Sequence, residues 1–424
     1  MTAVRPYTEI MQYIDAHQDD MIAMWKELVE TPGSSRNRKA AMQVERRLAG
    51  IFRDMGLDVT EHDVGPVNSC LLEAVWGRER TGKPVLFGGH YDTVEPCPAP
   101  GNMPGSGGGQ DVPGRDRGED APDVRDGDGT AHFRIESGRA HGLGVLDMKG
   151  GIVIAIWVIK ALQAAGWKER PVRILLAGDE EKGHADSTTA EMLTRLASGA
   201  LVCFNMETGR MSREICVARR GGGDGIMFVH GVSAHAGNDY LRGRNAVVEA
   251  AHKVIEAAAL TRLDAGTTVS PTIIQGGQVP NGIPGECRII IDTRYTSPDE
   301  KLRIMEGLRK IAEKPSVQGT HTDFRFEEYM GPFTETPDTD ALADFLSEES
   351  EKLGLGAMGR CRLGGTSDAT YFQAAGVPTV CAVGVRGEFN HTCREYAVVD
   401  SLFERAKLLA CATLDLDAFG EGQE

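Results

Sequence analysis

The feature that most constrains this chain is a set of short apolar runs, each of which stops at a histidine or an acid. "PVLFGGH" at 84–90 leads into "YDTV", "VRILLAG" at 172–178 into "DEEKGHAD", and "ALVCFNME" at 200–207 ends on its own acid. Runs this short and this rich in branched side chains, interleaved with helical periods, read as buried strands of an α/β domain. Helices are expected at 8–30, 37–55, about 148–166, near 187–197 and from about 400, with a further strand "PTVCAVG" at 378–384.

Between 216 and 330 the texture changes to strand, helix, two strands, helix and strand, with "ICVARRGGGDGIMFVHG" read as the first strand. Ser297 as cap, Pro298 at the first helical position and the acids Asp299 and Glu300 mark the start of the second helix. The expected fold class is therefore α/β: a larger domain with a mostly parallel sheet flanked by helices, 1–215 and 331–424, and an inserted small β-α-β-β-α-β domain, 216–330. A chain of 424 residues exceeds one ordinary core, which agrees with two domains. Residues 101–130 hold nine glycines and seven acids and are expected to form a surface loop or stay disordered. Their "DGDG" at 126–129 does not complete a calcium loop.

With 46 basic and 62 acidic side chains the formal charge is −16, which opposes binding to nucleic acid or to an anionic membrane. No apolar run reaches the roughly 20 residues that span a bilayer, and the N-terminal stretch reads as an amphipathic helix, not a signal peptide. Nine cysteines without paired spacing argue against a disulfide framework or a zinc knuckle. The expectation is a cytoplasmic protein acting on small molecules.

In doubly wound sheets the carboxyl ends of the strands line one crevice. His90, Asp92, Glu180, Glu181 and Glu207 follow apolar runs, and Asp147 in "GVLDMKGG" and His391 in "GEFNHTCREY" have similar placements. Alone, each has an ordinary reading: a structural histidine, a helix-capping aspartate, a solvated pair of glutamates. Their coincidence makes a metal site the leading expectation. Imidazole and carboxylate without thiolate suit zinc, manganese or cobalt, and five ligands are too many for one open catalytic zinc. Sharing a bridging carboxylate, they would serve two ions about 3.5 to 4 Å apart. Asp147 is the natural bridge, because it precedes a helix and the glycines after it permit close backbone approach.

In order, "GGHYDTV", "GVLDMKGG", "GDEEKG", "FNMETG", "GVSAHAG", "VPNGIPGECRIIIDTRY" and "GGTSDATYF" with "NHT" resemble the signature segments of a family of dinuclear zinc metallopeptidases and amidohydrolases. That family includes aminoacylase, acetylornithine deacetylase, succinyl-diaminopimelate desuccinylase and glutamate carboxypeptidase, and the resemblance spans about 84–400. It implies that the larger domain is the metal-binding catalytic domain and the inserted one a lid/dimerisation domain, with Asp147 as bridging ligand, His90 and Glu207 on one ion, and Glu181 and His391 on the other. Asp92 would accept the second ring N–H of His90. Glu180 would be the general base, facing away from Glu181 because neighbours in an extended strand end point to opposite sides. His235 would stabilise the oxyanion, often in the partner subunit's site, and the chain would form a homodimer or higher oligomer. Asn281 and Arg294, with Gly365 and Thr366 of the "GGTSD" loop, would bind a substrate carboxylate.

The activity implied is attack of a metal-activated water on a carbonyl, with Glu180 moving the proton. A glutamate at 207 tilts the resemblance toward aminoacylases and carboxypeptidases. Three features depart from the family pattern: His184 after "DEEKG", expected either to touch substrate or to be solvated; the 54 residues between Asp92 and Asp147; and "HTCREY" after the last histidine. The leading expectation is hydrolysis of an N-acyl amino acid or a C-terminal glutamate conjugate. The alternatives are an aminohydrolase releasing ammonia from a small amino-carboxylate and a non-catalytic metal-binding relative.

Overall fold

The computed structural model describes residues 6–65, 70–95 and 132–421, so the acidic glycine-rich segment 101–130 lies outside the described residues. Two units separate. The larger comprises Met1–Val217, Glu335–Cys361 and Tyr371–Glu424, and the smaller Ala218–Thr334 with Arg362–Thr370.

The larger unit is built on a mixed six-stranded sheet in the order Asp58–His62, Leu71–Trp76, Val172–Ala177, Val85–His90, Val202–Asn205, Thr379–Val380. Val85–His90 runs parallel to both of its neighbours, whereas Leu71–Trp76 meets Val172–Ala177 antiparallel. Strands in the middle are buried on both faces, which is why they read as unbroken apolar runs. Helix Gly150–Ala164, "GGIVIAIWVIKALQA", is apolar almost all round and buried accordingly, packed against the closing helix Val399–Glu421. The single N-terminal helix expected at 8–30 is two, Tyr7–Ala16 and Gln18–Glu30. His17 interrupts it: its Nδ1 lies 2.7 Å from the Tyr13 carbonyl oxygen, so the side chain binds backbone that helix continuation would use.

The smaller unit carries a four-stranded antiparallel sheet, Thr268–Gly276, Glu286–Tyr295, Gly221–His230 and His321–Met330 in that order. Helices Ala246–Ala258 and Pro298–Glu313 pack on the face that presents Met227, Val229, Ile289 and Ile291. The Asn245 side chain caps the first helix and Ser297 the second. The strand expected from "ICVARRGGGDGIMFVHG" is two strands: Ile215–Arg219 pairs with Arg360–Leu363, and Gly221–His230 enters the four-stranded sheet. At Gly225 a β-carbon would stand 2.7 Å from Leu308, so the missing side chain lets the helix seat on the sheet. Among the described residues no helix is long and apolar enough to cross a membrane.

Candidate metal centre and active site

Three adjacent parallel strands deliver the first side chains. His90 is the last residue of Val85–His90, Glu207 lies two residues past Val202–Asn205, and Glu180 and Glu181 follow Val172–Ala177. Asp147 sits in the buried turn before helix Gly150–Ala164, and His391 in the turn after Gly387–Glu388. Asp147 turns one oxygen to each histidine: Oδ1 is 3.2 Å from His90 Nε2, and Oδ2 is 3.1 Å from His391 Nε2. Glu207 Oε1 lies 3.7 Å from His90 Nε2, and Glu181 Oε2 lies 3.2 Å from His391 Nε2. Two donor groups result, His90–Asp147–Glu207 and Asp147–Glu181–His391, with the ligand atoms in each all within 4.8 Å of one another. Gly151 makes this approach possible, because a β-carbon there would stand 2.1 Å from the Met206 carbonyl oxygen, one residue before Glu207.

The glutamate pair is not extended. Glu180–Lys182 forms a 3₁₀ turn closed by Gly183 in the left-handed region at φ 61°. Side chains diverge by about a third of a turn per residue there, so turn geometry, not strand pleat, separates Glu180 from Glu181. Asp92 causes the turn: its carboxylate oxygens accept from the main-chain N–H of Glu180 at 3.3 Å and of Glu181 at 3.2 Å. The same carboxylate also faces His90. His90 Nδ1 approaches the Asp92 carbonyl oxygen at 3.0 Å, and the carboxylate oxygen is farther, at 3.4 Å. His184 is not solvated. It is buried, with Nδ1 2.9 Å from Asp179 Oδ1 and its ring edge-on to Tyr371.

In the smaller unit, His235 pairs with Gly282 across two short strands, Ala234–His235 and Gly282–Ile283, and the Asn281 carbonyl accepts from Ala236 N–H at 2.9 Å. His235, Asn281, Glu286 and Arg288 line one cleft. Arg294 is six residues along the strand from Arg288, about 20 Å in extended chain. Its guanidinium is forked onto Asp292 at 3.2 and 3.0 Å, and Asp292 also accepts from the Tyr329 hydroxyl. Thr366 accepts through its carbonyl from Arg219 Nη1 at 3.2 Å, and Gly365 beside it is exposed.

The family description "Peptidase family M20/M25/M40" matches residues 121–415. The chain belongs to this family. Carboxypeptidase G2 of Pseudomonas sp. (strain RS-16) is 26% identical to this M20 chain over 298 residues, 68% of this chain and 70% of the relative. Succinyl-diaminopimelate desuccinylase of Halorhodospira halophila (strain DSM 244 / SL1) is 25% identical over 285 residues, 63% of this chain and 72% of the relative. In fold, the chain is similar to aminopeptidase PepT from Bacillus cereus ATCC 10987, with a TM-score of 0.74, 22% identity, and coverage of 94% of this chain and 99% of that one. The protein is a metal-dependent hydrolase acting on amide C–N bonds, and M20 members are typically dinuclear.

The M20 centre has the electrostatics of a cation site. Burial works against a charge on His90, but Asp147, Asp92, Glu180 and Glu207 outweigh it and raise its pKa well above the usual imidazole value. Asp147 and Glu181 push His391 up to about 11. Burial would raise Asp147, yet the two histidines hold it far below the ordinary carboxylate range. Burial raises Glu181, whose Oε1 is enclosed without a hydrogen-bond partner. An enclosed set of imidazole and carboxylate donors is chemically suited to a divalent cation, and Glu181 Oε1 is a further oxygen free to serve one.

Two supports escaped the sequence reading. Asn390 donates through Nδ2 to Asp147 Oδ2 at 2.9 Å, and His391 beside it adopts φ 63°. Buried Glu395 accepts from the main-chain N–H groups of Gly144, Leu146 and Asp147 at 3.1, 2.8 and 3.0 Å, holding the turn that carries Asp147. Its place four residues after His391, inside the segment marked as a departure, was the available signal.

Proposed function

We propose that this M20 hydrolase holds two divalent ions, zinc, manganese or cobalt, with Asp147 between them, His90 and Glu207 on one, and Glu181 and His391 on the other. Its substrate is a small carboxylate-bearing amide: an N-acyl amino acid or a C-terminal glutamate conjugate. The observation that carries this reading is the sharing of Asp147 by two three-residue donor groups beside the Glu180 turn. Divalent ions held by these residues would supply Lewis-acid chemistry, lowering the pKa of a water and polarising a carbonyl. Glu180 takes the proton of that water on its carboxylate and returns it to the departing nitrogen. In support, Asp92 anchors the main chain of Glu180, and the Glu180 charge is close enough to raise the pKa of His90.

His235 Nδ1 accepts from the N–H groups of Gly237 and Asn238, both at 3.1 Å, which leaves the ring proton on Nε2. The imidazole is then a donor suited to a developing oxyanion. Asn281 and Arg294 serve the substrate carboxylate, with Gly365 and Thr366 offering further polar groups. Because Arg294 is not among the residues lining the cleft of His235 and Asn281, a second copy supplying His235 to its partner's site accommodates both. The edge strand Thr268–Gly276 and helix Ala246–Ala258 expose Ile273, Ile274, Val248 and Ile255, the last at 71%, an apolar surface suited to a homodimer. Eight described cysteines are free, which suits action in the cytoplasm.

The test is a panel of acyl amino acids, glutamate conjugates and aminobenzoate-like compounds, offered to the chain loaded with zinc, manganese or cobalt and scored for the amine released. Release of an amino acid is expected, and Glu180→Gln should lower kcat by about 10²–10⁴-fold with metal content unchanged. Free ammonia as the product would transfer the reading to an aminohydrolase, and normal turnover by the variant would remove Glu180 as the base.

A further inference from the structure

A second cluster of histidine and carboxylate lies in the smaller unit, on the sheet face turned away from its helices. The register sets His321 directly opposite His230, so both imidazoles project from the same face. Their rings stack with centroids 4.6 Å apart and planes inclined by 17°. Asp323, two residues along the edge strand, returns to that face and brings Oδ2 to 3.1 Å from His230 Nε2. The three side chains each offer a ligand atom, all within 4.8 Å of one another. On the other side of His230 the register places exposed Glu286, a second carboxylate residue in the same row. Arg288, in the row of Phe228 and Asp323, and Arg325, one row farther, lie over the Phe228 ring at 5.8 and 5.7 Å.

We propose that His230, His321 and Asp323 form a separate binding site for a borderline divalent cation of the Zn²⁺, Cu²⁺ or Ni²⁺ type. Two imidazoles and a carboxylate select such ions over Mg²⁺ and Ca²⁺, which take oxygen ligands. Water completes the coordination, since His321 and Asp323 are exposed. Because the ligands come from neighbouring strands, a bound ion clamps the edge strand His321–Met330 to Gly221–His230. His230 also lines the cleft of His235 and Asn281, so the ion adds positive charge to that wall. The site stands on this register and geometry alone and is independent of the substrate reading.

The test uses the full chain, stripped with a chelator, dialysed against micromolar free zinc and analysed for zinc per chain. The unaltered protein should hold one zinc more than His321→Ala, and zinc beyond the first equivalents should raise its melting temperature but not that of the variant. Asp323→Asn, which keeps the shape of the side chain, should weaken uptake of the same ion by about 10-fold or more and serves if His321→Ala folds poorly. Equal zinc content in the unaltered chain and both variants would overturn the proposal. Because the readout is a difference in ion count, loss of the Asp147 centre would not mimic it.

Discussion

The centre around Asp147 and the triad of His230, His321 and Asp323 use the same side-chain types, yet they are assembled in different ways. The first draws on five stretches of chain between residues 90 and 391, mostly buried, two of them held by further contacts: Asp92 under the Glu180–Glu181 turn, and Glu395 and Asn390 on the Asp147 turn. The second needs only one antiparallel register and lies largely in water. Burial is what makes the first chemically potent. Charges removed from water interact strongly, so His90 and Asp147 are driven from their usual protonation behaviour, and hydrogen bonds to the Asp147 and Glu181 carboxylates raise the more exposed His391. A surface triad can hold an ion, but it lacks the enclosed supports that fix ligands to fractions of an ångström.

The sharpest way to break this contrast is Asp147→Asn. If Asp147 is shared by two ions as proposed, this should empty both positions and lower kcat/KM by roughly 10³-fold or more, since metal catalysis contributes several kcal/mol. Zinc bound at the exposed triad should remain. Retention of both buried ions with near-normal turnover would show that Asp147 is not shared. A smaller effect is expected one step out, at Glu395→Gln: metal affinity about 10–100-fold weaker by competition with a chelator, with kcat largely recovered at saturating metal. Unchanged affinity would mean that the turn carrying Asp147 does not depend on its buried carboxylate.

The mildest effect is in protons. The His391 pKa is raised to about 11 in the folded, metal-free chain, from about 6.5 for a free imidazole. A raised histidine pKa stabilises the fold fully below about pH 6.5, and that contribution is lost as pH rises through about 11. At neutral pH the imidazolium is therefore present and must give up its proton when a cation enters. Loading the centre near pH 7.5 should release one to two protons, roughly one from each buried-centre histidine, and binding should weaken as pH falls. Calorimetry in two buffers of different ionisation enthalpy measures this directly. Metal uptake without proton release would mean the histidines are neutral beforehand.

Much of the architecture was legible in the chain itself. Period and composition marked the buried strands 84–90, 172–178 and 200–207 and the cap at Ser297, because burial and capping act locally on residue type. Three of the side chains that meet at Asp147 were legible for a related reason: His90, Glu181 and Glu207 follow strands of one sheet, whose ends converge, whereas Asp147 and His391 come from turns outside it. Other features depended on groups remote in sequence. Glu180 and Glu181 occupy a 3₁₀ turn because Asp92 accepts both their N–H groups across 88 and 89 positions. His184 is buried by Asp179 and Tyr371, and Glu395 reaches back to Gly144 across 251 positions. The triad of His230, His321 and Asp323 exists only because one register sets two strands face to face. Sequence by itself determined which side chains were available and where the strands end. Only the tertiary structure decided which buried carboxylate holds which turn, because that choice is made by long-range contacts that no local period encodes.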